Sequence, residues 1–550
     1  MNGRTYPLLH KCMIVMALFG AGLAAPAASA LDGQLATGVV RFSLDTGEPA
    51  RVAGLAAALE GESADYLRAR WLLSSGQKEK AREVFRGVFA GTTHRGEAAL
   101  ALAEMALHDA DAAGAEKWYQ QARQTGYGEV VQKALLGLAE QARNQGKTDA
   151  AGQYLARMDD GYWAAVGYMN LAADFARDDV NASRGLVALR VAMAMAAKDQ
   201  APERSRALLD QLNLRAGYLA LGDEQYDKAI DFLERVSLDS YHTPQALYLH
   251  GLALSEKGNH RAAMQSWHRA KKFPLAFPGV ADAWIGMGRG YDLSGYAGQA
   301  GESWLAANAA YESERVTLGS LAKRIREQGA YKTLVQDARN NDLQWFLADS
   351  RTLTQPRLAY LMRFMEAPDA QNAVRRVAQL DEMLAVLDEN KANLTVFIQA
   401  LERVLHSSRK ETRDTEKSEL IRQQASLEAR LDQLLAKAPA SVQGAALDRL
   451  QETLSVSGDR LAALTQRIAR QPERLNSILR EASAVRDSTE GLQQRALTLR
   501  QQAARELDAQ ALAFVEGQSR RMTHALDKTE QQIAHLYEYL ALENLGEGTP

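Results

Sequence analysis

Four histidines, His242, His250, His260 and His268, cluster in one stretch of the chain and are its first candidates for chemistry. Imidazoles hold zinc when two or more rings converge on one point. His260 and His268 stand eight residues apart, two helical turns rather than one, and no carboxylate follows any of the four at i+4. Polar helix surface is the better reading of them. The run Gly286-Met287-Gly288-Arg289-Gly290 superficially resembles a phosphate-cradling loop. Arg409 to Arg422 intermixes acids and bases, as a solvated helix face or a set of inter-helix ion pairs does. No nucleophile elbow, P-loop, HExxH or dinucleotide fingerprint occurs, so no reaction and no cofactor is called for.

The elements that carry these residues repeat. Trp284, Met287, Gly288, Tyr291, Ala300, Trp304 and Ala307 alternate small and bulky residues at fixed offsets, and the pattern returns upstream. Gly251, Ala263, Trp267 and Ala270 hold the same places one step earlier, then Gly217, Ala229 and Leu233. Farther back come Leu138, Ala139, Ala151 and Leu155 with Gly146 at a turn, then Leu102, Ala103, Ala115, Tyr119 and Ala122. The first set is Trp71, Gly76, Ala81 and Phe85. The alanines Ala81, Ala115, Ala151, Ala229, Ala263 and Ala300 are spaced by 34, 36, 78, 34 and 37 residues. The gap of 78 leaves room for a degenerate unit near Tyr162 to Lys198.

A period of about 34 residues with W-x2-L-G-x2-Y, an alanine, and an aromatic four residues on resembles the tetratricopeptide repeat (TPR). The resemblance implies an all-α solenoid of helix-turn-helix units that bury their apolar faces only by stacking. About seven units fit between residues 62 and 312, a little under half of the chain. Gly288 then belongs to helix packing and the glycine run is not a loop. The resemblance also implies a concave surface lined by the first helix of each unit. Carried over by phase, it holds Tyr66 and Arg70 in the first unit. In the last three it holds Leu214, Tyr218, Leu221, Tyr248, Leu252, Ile285 and Arg289. Aromatic and Arg side chains are enriched at binding hot spots, so these residues form the expected partner-binding groove. The rival is a groove filled by the chain's own C-terminal helices.

The N-terminus reads as a secretory signal. Arg4 and Lys11 precede an apolar run from Met13 to Ala25, and Ala28-Ser29-Ala30 is a cleavage box that puts the mature start at Leu31. The run is shorter than the ~20 residues a membrane span needs. The sole cysteine, Cys12, lies inside this segment, so a disulfide scaffold and a cysteine-metal site are excluded from the mature chain. Net charge is −3, and loss of Arg4 and Lys11 makes it −5. Such a balance carries no electrostatic footprint for nucleic acid and no broad basic face for anionic lipid. The expected compartment is the periplasm.

The second half changes character. All seven tryptophans precede residue 346, and no aromatic residue lies between Phe397 and Phe514. Residues 313–370 read as a helical transition that caps the solenoid, with Trp345, Phe346, Tyr360, Leu361 and Phe364 as its apolar set. A chain ending near residue 370 is therefore expected to fold alone. Residues 371–545 carry a coiled-coil pattern. From Leu447, alternating steps of three and four residues meet Leu, Ala, Ile or Val as far as Ala503, except at Ser457, Gln471 and Thr489. Pro439 marks a hairpin, and Pro472 a turn or a kink. Two arrangements fit: an antiparallel bundle folded within the chain, or a parallel homodimer.

The reading that follows is a non-enzymatic periplasmic scaffold or adaptor in an envelope assembly of the secretion, polysaccharide, motility or Tol/TonB-like kind. Its partners would be other envelope proteins, held in the groove and through the coil. A periplasmic chaperone or cell-wall-associated factor that binds many clients is the first rival, and an enzyme with its site in the transition segment or bundle is the second. Fold alone does not decide among them.

Overall fold

A computed structural model describes residues 33–47, 49–179, 181–336, 356–408, 412–437 and 445–546. The signal-like segment, Trp345, Phe346 and Pro439 lie outside these residues. Every regular element among the described residues is helical. They fall into two compact units, one of residues 24–379 with 501–550 and one centred on residues 380–500.

The larger unit begins with α1 (Gly33–Asp45), a 3-10 turn (Pro49–Val52) and α2 (Ala53–Ala58). Ala36, Val40, Val52 and Ala56 pack there with Leu67 of α3 and cover the open end of the first repeat. Seven helix pairs follow: α3 (Glu62–Ser74) with α4 (Lys78–Ala90), α5 (Arg95–His108) with α6 (Ala112–Thr125), and α7 (Glu129–Asn144) with α8 (Thr148–Leu155). Next are α9 (Tyr162–Asp178) with α10 (Ser183–Ala196) and α11 (Pro202–Gly222) with α12 (Tyr226–Leu233). The last two are α13 (Thr243–Glu256) with α14 (His260–Ala270) and α15 (Val280–Leu293) with α16 (Ala297–Gln328). Each helix packs on its neighbours in chain order, as a solenoid requires.

One turn recurs between the paired helices. The chain reverses at Gly76, Ala110, Gly146, Glu224, Gly258 and Gly295, all left-handed with φ between 58° and 80°. Glycine takes that conformation without steric cost, whereas Ala110 and Glu224 carry a Cβ into it at roughly 1 kcal/mol each. Five residues after each turn stands one of the six spaced alanines, every one fully buried. The fourth pair keeps the phase with buried Gly185 in place of alanine, 34 residues after Ala151. The 78-residue gap is therefore one ordinary step and one long step. The surplus lies in α11, which spans 21 residues.

Tryptophans fill the space that the glycines leave. Trp267 of α14 donates its indole N–H to the Tyr248 carbonyl at 3.1 Å, and Trp304 of α16 donates to the Ile285 carbonyl at 3.2 Å. A Cβ built on Gly251 would lie 2.4 Å from Trp267, and one on Gly288 would lie 2.2 Å from Trp304. On the other side of Trp267 stands Gly286, and Gly290 meets Met264. The glycine run of α15 is thus a helix surface shaped to neighbouring side chains.

The second helix of the last pair is long: α16 spans 32 residues and runs past residue 312 to Gln328. A π-helical turn (Tyr331–Gln336) and α17 (Pro356–Phe364) follow. Tyr360, Leu361 and Phe364 of the expected cap are buried. Their partners come from the far end of the chain, the last part of α20 (Ala445–Gly546). Phe514 packs against Tyr360 and Phe364 with ring centroids 6.4 and 5.6 Å apart. Asp508 accepts from the Ala330 N–H, Thr529 donates to Asn308, and Leu536 sits on Ala300 and Trp304. This corrects the expectation that a chain ending near residue 370 holds a complete unit. Such a chain lacks the side chains that close over Trp304.

In the smaller unit, α18 (Pro368–Ser408), α19 (Thr412–Lys437) and α20 contribute long helices. Asp381 meets Arg500 at 2.8 Å, Asp388 meets Gln493, and Lys391 meets Glu490 at 2.9 Å. Rising numbers on one helix pair with falling numbers on the other, so the two run antiparallel within one chain. Of the seam positions of α20, Ala482, Thr489 and Ala496 are buried, while Val485, Leu492 and Leu499 remain exposed. Pro472 lies inside α20, which passes through it, so it is not a turn. Arg422 pairs with Glu419 on its own helix, the behaviour of a solvated face.

Candidate partner-binding groove

The first helices of the repeats differ in how far they satisfy themselves. In the third and fourth pairs, Arg143 of α7 forks onto the carboxylate of Asp174 of α9, which is buried. Arg143 also bonds Glu140, and Asn170 donates to Glu140 at 2.9 Å. All four polar groups have partners, and this stretch of surface offers little to a ligand.

The fifth and sixth pairs are open. A cavity of about 620 Å³ lies among α9, α11, α13 and α17. Ala172, Ala176, Met169 and Leu189 form an apolar floor, and Leu214, Arg215 and Tyr218 project from α11. Gln211 and Gln245 occupy equivalent positions near the starts of successive first helices, each six residues before the packing glycine Gly217 or Gly251. The loop before α13 supplies Tyr241 and His242. Buried Asp210 fixes this loop by accepting from the backbone N–H and the hydroxyl of Ser237, at 2.9 and 3.0 Å. Thr243 donates its hydroxyl to the Ser237 carbonyl at 2.6 Å.

The electrostatics of the cavity are uneven. Tyr241 donates to the Glu366 carboxylate, which also pairs with Arg363, so that wall is closed on itself. Burial is the main cause that holds the Tyr241 phenol well above its ordinary value, with Glu366 adding to it. Burial also draws His242 below the usual imidazole range, against the pull of Asp210 and Glu366. Its ring is thus biased to the neutral form that both donates and accepts. Arg215 differs: it is exposed and has neither a hydrogen bond nor an ion pair among the described residues, and the neighbouring protein draws its pKa somewhat below the ordinary value. Its guanidinium stays charged and keeps its N–H donors open to a ligand.

The residues expected in the groove divide. Leu214 and Tyr218 line the cavity, and Tyr218 is 64% exposed. Leu221 packs between two core clusters, and Leu252 is half-buried and lines neither cavity. Tyr248 is half-buried: it lies over Gly279, packs against two core clusters, and has its phenol pushed up to about 12, chiefly by burial. Ile285 lines a second cavity of about 300 Å³. Arg289 is exposed, 3.8 Å from Glu256. At the other end, Tyr66 stacks on His94 at 4.6 Å and Arg70 pairs with Asp45 of α1 at 2.8 Å, so both are engaged within the chain. The clustered histidines separate as well. His250 meets Ser266 at 2.8 Å and His260 meets Ser255 at 3.3 Å, while His242 faces the cavity.

Gln211, Arg215, Tyr241, His242 and Gln245 were not among the expected groove residues. The repeat phase that marks Leu214 and Tyr218 marks Gln211 and Gln245 equally well. The loop pair carries no such signal, because the repeat pattern does not constrain loops.

Seven stacked helix pairs, left-handed turns at a constant offset and small residues facing bulky ones define a TPR-type solenoid with an open groove on its first helices. No protein-family model matches the chain, and a search of curated proteins gives no match. Among solved structures it is similar to MamA of AMB-1, at 16% identity over 32% of this chain and 98% of that one, with a TM-score of 0.26. It is similar to a chain of the APC/C hetero-tetramer Cut9-Hcn1 at 17% identity over 48% of this chain and 49% of that one, with a TM-score of 0.29. The P58(IPK) TPR domain aligns at 14% identity over 50% of this chain and 93% of its own, with a TM-score of 0.17. The fold assignment rests on the helix-pair packing and not on these scores.

Proposed function

We propose that this chain is a non-enzymatic scaffold that captures an extended segment of a partner protein in the groove of its fifth and sixth repeats. The observation that carries the reading is the cavity itself, where exposed Arg215, with no hydrogen-bond or ion-pair partner among the described residues, stands beside the exposed ring of Tyr218 and an apolar floor. An apolar side chain on that floor and a carboxylate at Arg215 would satisfy both. The test is the variant Arg215→Ala/Tyr218→Ala, in titration with a partner first captured by the intact protein. Central hot-spot residues are commonly worth about 2 kcal/mol or more, so capture should weaken at least tenfold with an unchanged melt. Unchanged affinity would sink the assignment. Competition among unrelated unfolded chains separates a scaffold from a many-client chaperone, since only the chaperone is displaced by all of them.

The same reading makes the chain a periplasmic component of an envelope assembly. Support comes from Arg4, Lys11, the apolar run and Ala28-Ser29-Ala30. No helix among the described residues is long and apolar enough to cross a membrane. Intact mass of the envelope-purified protein should give a chain starting at Leu31, and a retained leader would refute export with cleavage. Self-association belongs to the proposal too, because Val485, Leu492 and Leu499 are heptad-spaced and exposed. Sedimentation should show a dimer that Leu492→Glu/Leu499→Glu dissociates, and a monomer at all concentrations would remove it.

A further inference from the structure

The second cavity has two unlike walls. One is α15, with Ala281, Asp282 and Ile285; the other is the C-terminal part of α20. On α20 the residues Arg520, Arg521, His524 and Lys528 line it, at spacings that put them along one side of a helix. Asp282 is the only carboxylate among the lining residues. Arg521 donates to Gln518 at 2.9 Å, which leaves its charge uncompensated. Neither Arg520 nor Lys528 has a hydrogen bond or ion pair among the described residues. A chain of net charge −3 thus gathers cations at one cleft, where they repel one another. Meanwhile Met522 and Ala525 are buried beside them and, with Ala281 and Ile285, give the cleft an apolar floor.

We propose that this cleft docks an acidic, extended segment of a partner protein, with an aliphatic side chain against half-buried Ile285 and carboxylates on Arg520, Arg521 and Lys528. The inference rests on the reading of the chain as a partner-binding scaffold and adds the chemistry of the partner. Charge complementarity selects an anion. The apolar floor selects a side chain over a bare ion. No Phe, Tyr or Trp lines the cleft to give bases a stacking platform, which disfavours single-stranded nucleic acid. A recess between two helices is also the wrong shape for a bilayer surface. The basic wall belongs to α20 and not to a repeat, so the C-terminal helix that closes the solenoid also sets what the last repeat recognises.

The test uses the full chain and a fluorescein-labelled peptide of repeated Glu-Leu-Glu units, read by anisotropy, with a Gln-Leu-Gln peptide as control. The acidic peptide should bind, lose affinity steeply with added salt, and bind about tenfold or more weakly to Arg520→Glu/Arg521→Glu/Lys528→Glu. The milder Arg520→Gln/Arg521→Gln/Lys528→Gln keeps helix-forming residues and should show the same loss with an unchanged melt. Arg215→Ala/Tyr218→Ala should leave this binding intact. Equal binding of the two peptides, or no loss in either triple variant, overturns the proposal. If only the Arg215 variant loses the peptide, the acidic site is the larger cavity: this inference fails and the groove reading stands. Duplex DNA or phosphatidylglycerol vesicles that bind more tightly than the peptide, with the same dependence on the triple variants, would also overturn it.

Discussion

Replacing Gly288 by Ala should lower stability by about 1–3 kcal/mol, while the same change at Gly319 should raise it by about 0.4–1 kcal/mol. Both glycines are helical, so intrinsic propensity favours alanine at each. Packing decides the opposite signs. A Cβ on Gly288 would stand 2.2 Å from the Trp304 indole nitrogen, whereas nothing lies within 4 Å of one on Gly319. Trp304 has little room to retreat. It is 2% exposed, its N–H is bound to the Ile285 carbonyl, and Leu536 covers its other side. The overpacking cost should therefore fall toward the upper part of the range. Chemical denaturation followed by tryptophan fluorescence and by circular dichroism would measure both variants. Shifts of the same sign would mean that the α15–α16 contact is looser than its geometry.

The pairing of small and bulky residues is why the solenoid was legible before its structure. Each repeat must solve the same close approach, so Gly251 with Trp267 and Gly288 with Trp304 repeat one solution and leave a visible period. The fourth pair hid because Gly185 replaces the alanine and α11 then adds extra residues. Neither change disturbs the packing, but both disturb a fixed spacing. The groove was legible only in part. Phase puts residues on a face, and Leu214 and Tyr218 of that face line the cavity. Whether a residue on that face meets solvent depends on the next element. Tyr248 meets the turn at Gly279, and Arg70 meets Asp45 from outside the repeats. Closure by residues 507–540 was not legible, because heptad spacing in α20 is the same whether the partner is α18 or the end of the solenoid. Along one continuous helix the apolar stripe serves α18 through Ala482 and Ala496, and α16 through Leu536.

Arg143→Met should be among the costliest single changes in the chain, at about 3 kcal/mol. The wild-type guanidinium is largely buried and forks onto Asp174, whose side chain is 6% exposed, and it bonds Glu140 as well. Methionine keeps much of the volume and removes the charge, so Asp174 is left as a buried carboxylate. The loss should stay near the low end for such pairs, because Arg177 remains 3.3 Å away on the solvent side and Asn170 still serves Glu140. The double change Arg143→Met/Asp174→Leu should recover most of the stability, since a buried ion pair replaced by apolar residues of similar size is often neutral or better. A surface pair provides the contrast. Arg500 and Asp381 are each 35% exposed, and Arg500→Ala should cost no more than about 1 kcal/mol. Denaturation of the three variants forms the test. If the double variant is as unstable as the single, Asp174 does not depend on Arg143, and the sealed stretch of the groove is held by its apolar packing alone.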